Sequence, residues 1–243
     1  SYGYQPSLGW GIAFTLLFTA IAVGQTVHLV RTRAFWTVVF IVGAIIEIIG
    51  WVGRTISHRC PYSGVCFRMQ TATLIMGPSW TQAGIYITLW VLIRDIGRHV
   101  SPFPPKTYLF ICLIIDVVCL TTQAVGGGLT SSAYSQGIST QPGTTTMVVG
   151  IIAQLAAAVI FSFLLAIVIY RGASDLRANR PLFYVAAATV FATAMMIMRN
   201  VYRSIELTEG WRGYLILNER FVLALDALPM VLSMGIYVFF NPG

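Results

Sequence analysis

Apolar residues run along this chain in seven blocks, at residues 7–30, 34–56, 67–94, 106–129, 146–170, 181–207 and 215–240, with short polar connections between them. Each block is long enough to cross the roughly 30 Å hydrocarbon core of a bilayer as a helix. The blocks are rich in Leu, Ile, Val and Ala and lack the period-two alternation of a lipid-facing barrel strand. Helices must therefore satisfy their backbone hydrogen bonds. The pattern predicts an all-α integral membrane protein: a single seven-transmembrane-helix bundle over residues 1–243.

Polar positions inside the blocks are few and regularly spaced. Glu47 and Arg54 are seven residues apart, as are Asp116 and Gln123, Arg199 and Glu206, and Glu219 and Asp226; Arg203 fills the turn between Arg199 and Glu206. Seven residues are close to two helical turns, so each pair lies on one face of its helix. With segments 2, 4 and 6 running outward and segment 7 inward, the stripes align as two layers. Glu47, Asp116, Arg199 and Asp226 form one near mid-membrane, and Arg54, Gln123, Arg203, Glu206 and Glu219 form the other nearer the outer surface. Gln70, Gln82 and Tyr86 on segment 3 add neutral hydrogen-bonding groups to both.

A buried ion pair can serve only to fix helix register. Ionisable residues on four helices that share one interior instead mark a site for a ligand, ion or substrate, because isolated charges at that depth are costly. Arg220 neighbours Glu219 on a different face and is left out of the site as an interfacial residue.

Composition agrees with the block pattern, since 57% of residues are hydrophobic and 9% charged, against roughly 25% charged in soluble domains. The net charge of +7 falls unevenly. Arg31, Arg33, Arg94, Arg98, Lys106, Arg171, Arg177 and Arg180 all lie in the loops after segments 1, 3 and 5, whereas the loop after segment 4 carries no charge. The bias predicts an external N-terminus and a cytoplasmic C-terminus. It also explains the basic balance by contact with anionic lipid, with no nucleic-acid partner. The chain starts at Ser1 without a methionine, as a trimmed chain would; no stretch combines a short apolar core with a cleavage site, and the first block is too long for a signal peptide.

Cys60 and Cys66 flank Pro-Tyr-Ser-Gly-Val in the expected outer loop, where a disulfide-closed loop is predicted. Cys112 and Cys119 lie within segment 4 as packing residues. Pro78 and Pro229 interrupt helix interiors and are candidate hinges. The Gly126-Gly127-Gly128 run is expected to end segment 4.

Several chemistries are excluded by what is missing. The only lysine, Lys106, lies at the junction of the loop with segment 4, so the last helix has no lysine near its middle for a retinal Schiff base. His28, His58 and His99 fall on the inner end of segment 1, an outer loop and an inner loop, which predicts neither a catalytic metal nor a two-histidine haem site. No phosphate-binding G-x-x-x-x-G-K-[ST] loop is present. Nothing suggests an enzyme, and no resident cofactor is expected. Arg94-Asp95 and Asp226-x-x-Pro229 loosely resemble receptor motifs and keep a lipid sensor as an alternative.

At four stretches the chain resembles a known family: Glu47-Ile-Ile-Gly-Trp-Val-Gly-Arg54; Gln70 through Pro78 to Tyr86; Asp116 through Gln123 to Gly128; and Arg199-Asn-Val-Tyr-Arg203-Ser-Ile-Glu206. Glu219 through Asp226-Ala-Leu-Pro-Met230 continues the resemblance, which is to the fungal lipid-translocating exporters, the group named for resistance to 7-aminocholesterol. Cys119 stands where that family has Ser, and Phe221-Val222 where an aromatic pair with Tyr is usual. The resemblance implies a multi-pass plasma-membrane protein that exports or translocates amphiphilic lipids such as sphingoid long-chain bases or sterol-like toxins and so confers resistance. In one branch the ligand is a porphyrin, which makes haem or porphyrin the alternative occupant. On this reading Glu47, Asp116 and Asp226 receive a cationic or hydroxylated head group, while Arg54, Arg203, Glu206 and Glu219 form an outer gate or hold phosphate.

Overall fold

Long helices make up nearly all of a computed structural model that describes residues 7–59, 64–101, 104–209 and 213–240. They are α1 (Leu8–Thr32), α2 (Val38–Arg59), α3 (Gly64–Ile96), α4 (Pro105–Gln136), α5 (Gln141–Arg171), a short α6 (Ala173–Ala178) and α7 (Arg180–Glu209). The chain ends in α8 (Tyr214–Leu217), α9 (Glu219–Val222), a π-helical turn (Leu223–Ala227) and α10 (Leu228–Phe239). No strand occurs among the described residues.

Among the described residues, six helical stretches are long and apolar enough to cross a membrane: Leu8–Thr32, Phe35–His58, Lys106–Ala133, Gln141–Arg171, Arg180–Glu209 and Glu219–Phe239. Large apolar side chains such as Leu16, Phe110, Ile114 and Phe163 face outward. Such an outer surface suits lipid and not water, so the protein is an integral membrane protein. The block expected at 67–94 is the exception. α3 has the length, at 33 residues, but carries Gln70, Thr71, Thr73, Ser79, Thr81 and Gln82 and falls outside the six. Its position gives the reason: α3 packs against α2, α4, α7 and α10, so much of its surface meets protein. Polar side chains there have neighbouring helices to bond with.

Close helix contacts rest on small residues. A side chain at Gly50 would strike Thr73, one at Gly84 would strike Phe40, and one at Gly77 would strike the Glu47 carboxyl, so these glycines seat α2 on α3. The triple glycine 126–128 does not end the fourth helix as expected. α4 runs on to Gln136, where Gly137 at φ +69° turns the chain. A Cβ at Gly126 would lie 2.7 Å from the Gly143 carbonyl, so that glycine lets α5 approach.

Aromatic contacts tie the remaining helices together. Phe14 of α1 stacks on Trp51 of α2 at 4.6 Å, Phe40 of α2 meets Tyr237 of α10 at 4.8 Å, and Tyr86 of α3 meets Phe161 of α5 at 4.6 Å. The last block also departs from expectation, since 215–240 is broken at Asn218 and widened at the π-turn. Cys112 and Cys119 are free thiols; the side chains of Cys60 and Cys66, and with them the expected disulfide, lie outside the described residues.

Candidate functional site

α7 presents Arg199, Tyr202, Arg203 and Glu206 along one face, at the three- and four-residue spacing that brings helical side chains together. Arg203 Nη1 lies 2.6 Å from Glu206 Oε2, and the Tyr202 hydroxyl donates to Glu206 Oε1 at 3.2 Å. Asp226 approaches from the π-turn: Arg199 Nε is 2.8 Å from its Oδ1 and Arg203 Nη2 is 3.3 Å from its Oδ2. These last two are close ion pairs without hydrogen-bond alignment. Arg199, Glu206 and Asp226 are all buried, Asp226 to 1% exposure.

Two prolines border this cluster, and one of them shapes it through the carbonyl it leaves free. Pro78 has no N–H, so the Leu74 carbonyl four residues back lacks its usual helical donor. Arg199 Nη2 donates to that oxygen at 2.6 Å. Pro229 does the same to the Leu225 carbonyl, and just before it the helix widens so that the Leu228 N–H reaches Leu223. Asp226 sits in this π-turn, a distortion that recurs at functional sites. Both candidate hinges thus border the charged cluster.

Glu47 projects from α2 toward the same cluster, with Arg199, Asp226 and Arg203 as its charged neighbours. It is 1% exposed and packs against the Gly77 backbone, and neither carboxyl oxygen has a hydrogen-bond partner. Counting Glu47, Glu206 and Asp226, three carboxylates face two guanidiniums. The cluster carries one formal negative charge.

Arg54 and Glu219 meet elsewhere, at the end of the bundle where α1 begins. Arg54 Nη2 lies 2.9 Å from Glu219 Oε1, and the Ser7 backbone N–H donates to the same oxygen at 3.0 Å. The Arg54 guanidinium also sits 5.7 Å from the Trp51 ring centroid. Arg220 is exposed.

The two expected layers therefore resolve differently. Arg203 joins them by touching both Asp226 and Glu206. Gln123 stays beside them but bonds to none of the charged groups: it donates to Gln154 of α5 at 2.9 Å, and Gln154 donates on to Ser79 of α3 at 3.2 Å. Asp116 shares no contact with the cluster and faces Tyr86 of α3, beside Gln82. Gln70 is buried on α3, one turn before Leu74. Instead of an open chamber, a narrow crevice runs between Arg199, Arg203, Gln123 and Gln154, with room for about one water molecule.

Sequence reasoning missed Gln154, Tyr202 and the Leu74 carbonyl. Gln154 was visible as a lone polar residue within the apolar run Gly150-Ile-Ile-Ala-Gln154-Leu-Ala-Ala-Ala. The carbonyl had only an indirect signal, the proline four residues on.

The RTA1-like protein family matches residues 40–243. The chain belongs to this family. It is 29% identical to the sphingoid long-chain base transporter RSB1 of Saccharomyces cerevisiae, over 99% of this chain and 73% of that protein. It is 24% identical to protoporphyrin uptake protein 1 of the same yeast, over 95% of this chain and 88% of the relative. Protein RTM1 of that species is 25% identical, over 98% and 90%. The RTA1-like membership agrees with the resemblance to fungal lipid-translocating exporters. No solved structure matches the chain significantly.

Proposed function

We propose that this protein moves a cationic, hydroxylated amphiphile of the sphingoid long-chain-base kind across the plasma membrane and so removes it from the inner leaflet. The observation that carries this reading is the buried cluster in which three carboxylates face two guanidiniums and Glu47 makes no aligned hydrogen bond or close ion pair. An ammonium head group would neutralise the excess negative charge. It would take Glu47 and compete with Arg199 for Asp226, while the hydrocarbon tail stays between helices in lipid. The similarity to a named long-chain base transporter supports the same substrate class.

The topology that suits this is a seven-span bundle with α3 as the seventh span, the N-terminus outside and the C-terminus cytoplasmic. At about 1.5 Å per residue α3 is long enough to cross. The arginine bias of the connections after α1, α3 and α5 sets the direction. On that orientation the Arg54–Glu219 pair lies at the external end as a gate, and the tight crevice is an occluded form.

Similarity to a protoporphyrin uptake protein raises a second reading, in which propionates pair with Arg54, Arg199 or Arg203. Each of these guanidiniums already touches a carboxylate, which favours a cation over an anion. The deciding experiment reconstitutes the pure protein in liposomes and follows transbilayer movement of a fluorescent long-chain base. Glu47→Gln and Asp226→Asn should each slow it at least tenfold while folded protein is retained. Movement at the parent rate in both variants overturns the assignment, and a Soret band with porphyrin-dependent quenching would favour the second reading.

A further inference from the structure

Apart from Lys106 at its first turn, Asp116 is the only charged residue in α4, and its surroundings differ from those of the other deep carboxylates. It is 4% exposed, and neither oxygen has a hydrogen-bond partner. Where Glu47 and Asp226 face arginines, the groups electrostatically coupled to Asp116 are Tyr86 of α3 and Cys112 and Cys119 of its own helix. α5, the other long helix packed on α4, has no ionisable side chain before Tyr170.

The neighbouring polar atoms are orphaned too. Tyr86 is 0% and Gln82 1% exposed, and the Tyr86 hydroxyl and both Gln82 amide atoms lack partners. The Tyr86 hydroxyl lies within hydrogen-bonding reach of both Asp116 and Gln82, but no aligned hydrogen bond joins the three. Unpartnered buried polar groups are uncommon in native structures and mark a missing ligand, ion or water. Carboxylate, phenol and amide-carbonyl oxygens form a hard donor set suited to a small cation. The Tyr86 ring is packed on Phe161 at 4.6 Å, so the place is closed by side chains and suits an ion, not a lipid head group.

We propose that Asp116, Tyr86 and Gln82 bind a small monovalent cation, sodium or a proton, as the counter-charge that α4 otherwise lacks. Sodium would be held by the Asp116 carboxylate with Tyr86 Oη and Gln82 Oε1. A proton would sit on one Asp116 oxygen and be donated toward the Tyr86 or Gln82 oxygen. Binding stands on the side chains alone; that the ion also drives amphiphile movement rests on the transport reading. Coupling ions in transporters occupy such midplane positions.

The test is thermal unfolding of the purified full chain in detergent. Sodium is titrated against potassium and choline at constant ionic strength, and pH is varied in choline. A saturable, sodium-specific rise in Tm that Asp116→Asn abolishes identifies sodium. A pH dependence of Tm that Asp116→Asn removes, with no sodium effect, identifies a proton. A Tm insensitive to both, or a response that Asp116→Asn retains, overturns the site. If Asp116→Asn does not fold, Tyr86→Phe and Gln82→Leu replace it: at least one must weaken the cation response, and an unchanged response in both overturns the site. Because the readout is stability, its failure is separate from any failure of lipid movement.

Discussion

Asp226 and Asp116 are the same residue type at nearly the same burial, 1% and 4% exposed, in opposite company. Asp226 touches Arg199 and Arg203, and Arg199 is in turn anchored on the carbonyl that Pro78 frees. Asp116 touches no positive group and sits among a phenol, an amide and thiols. In lipid the two arrangements have different consequences. A paired carboxylate locks neighbouring helices together, and removing one partner strands the other charge. An unpaired carboxylate locks nothing and leaves a place for a mobile positive charge. One region is built to hold helices until a competing cation arrives, the other to accept an ion.

The most damaging way to break this contrast is Arg199→Met, which leaves three carboxylates around Arg203. It should destabilise the protein by about 3–5 kcal/mol, seen as a large loss of Tm in detergent. Adding Asp226→Asn removes a stranded charge, so the double variant should recover most of that stability yet remain inactive in the liposome assay. A double variant as unstable as Arg199→Met alone would show that the guanidinium matters for packing and not for charge.

Pro78→Ala probes the same region through the backbone. The new N–H competes with Arg199 for the Leu74 carbonyl, and a hydrogen bond to a charged group is worth about 1.5–3 kcal/mol. Restored helical bonding offsets much of this. The expected result is a modest Tm change with amphiphile movement reduced several-fold, and unchanged movement would show that the anchor on Leu74 is dispensable. Asp116→Asn should behave with the opposite sign to Arg199→Met. Measured without sodium, it should leave stability unchanged or raise it by up to about 1 kcal/mol, because the residue removed has no charge partner. A clear loss would mean that Asp116 has a partner the geometry does not reveal.

The contrast was only half legible in the chain. Which charges enter the membrane, and their seven-residue spacing, follow from reading Glu47, Arg54, Asp116, Arg199, Arg203, Glu206 and Asp226 against their apolar flanks. Which of them meet does not, because contact depends on how each helix is rotated against its neighbours. Asp116 and Gln123 share a stripe on α4, yet one faces α3 and the other reaches Gln154 on α5. The spacing rule fails outright between Glu219 and Asp226, where the π-turn inserts a residue into the helical repeat and sends the two carboxylates to different partners. A constant 3.6-residue period hides that distortion. Pro229 was the one visible sign of it. The glycines of α4 misled for a related reason, since a glycine that ends a helix and one that admits a neighbouring helix look alike until α5 is in place.

The smallest expected loss of stability lies at the Arg54–Glu219 pair, which is also charged and close but differently placed. Glu219 is 18% exposed at the end of the bundle, and Arg54 keeps the Trp51 ring when the carboxylate is neutralised. Glu219→Gln retains an oxygen for the Ser7 N–H and loses only the charge, but Arg54 is 2% exposed, so the cost should be about 1–2 kcal/mol, above that of a solvated ion pair and below that of Arg199→Met. Salt is the sharper probe, because ions screen charges that water reaches far more than charges enclosed by protein. Raising ionic strength should narrow the difference between Glu219→Gln and the parent, while the instability of Arg199→Met persists. If the Glu219 effect resisted salt as well, both pairs would belong to one dry cluster, and the external gate would have to be placed elsewhere.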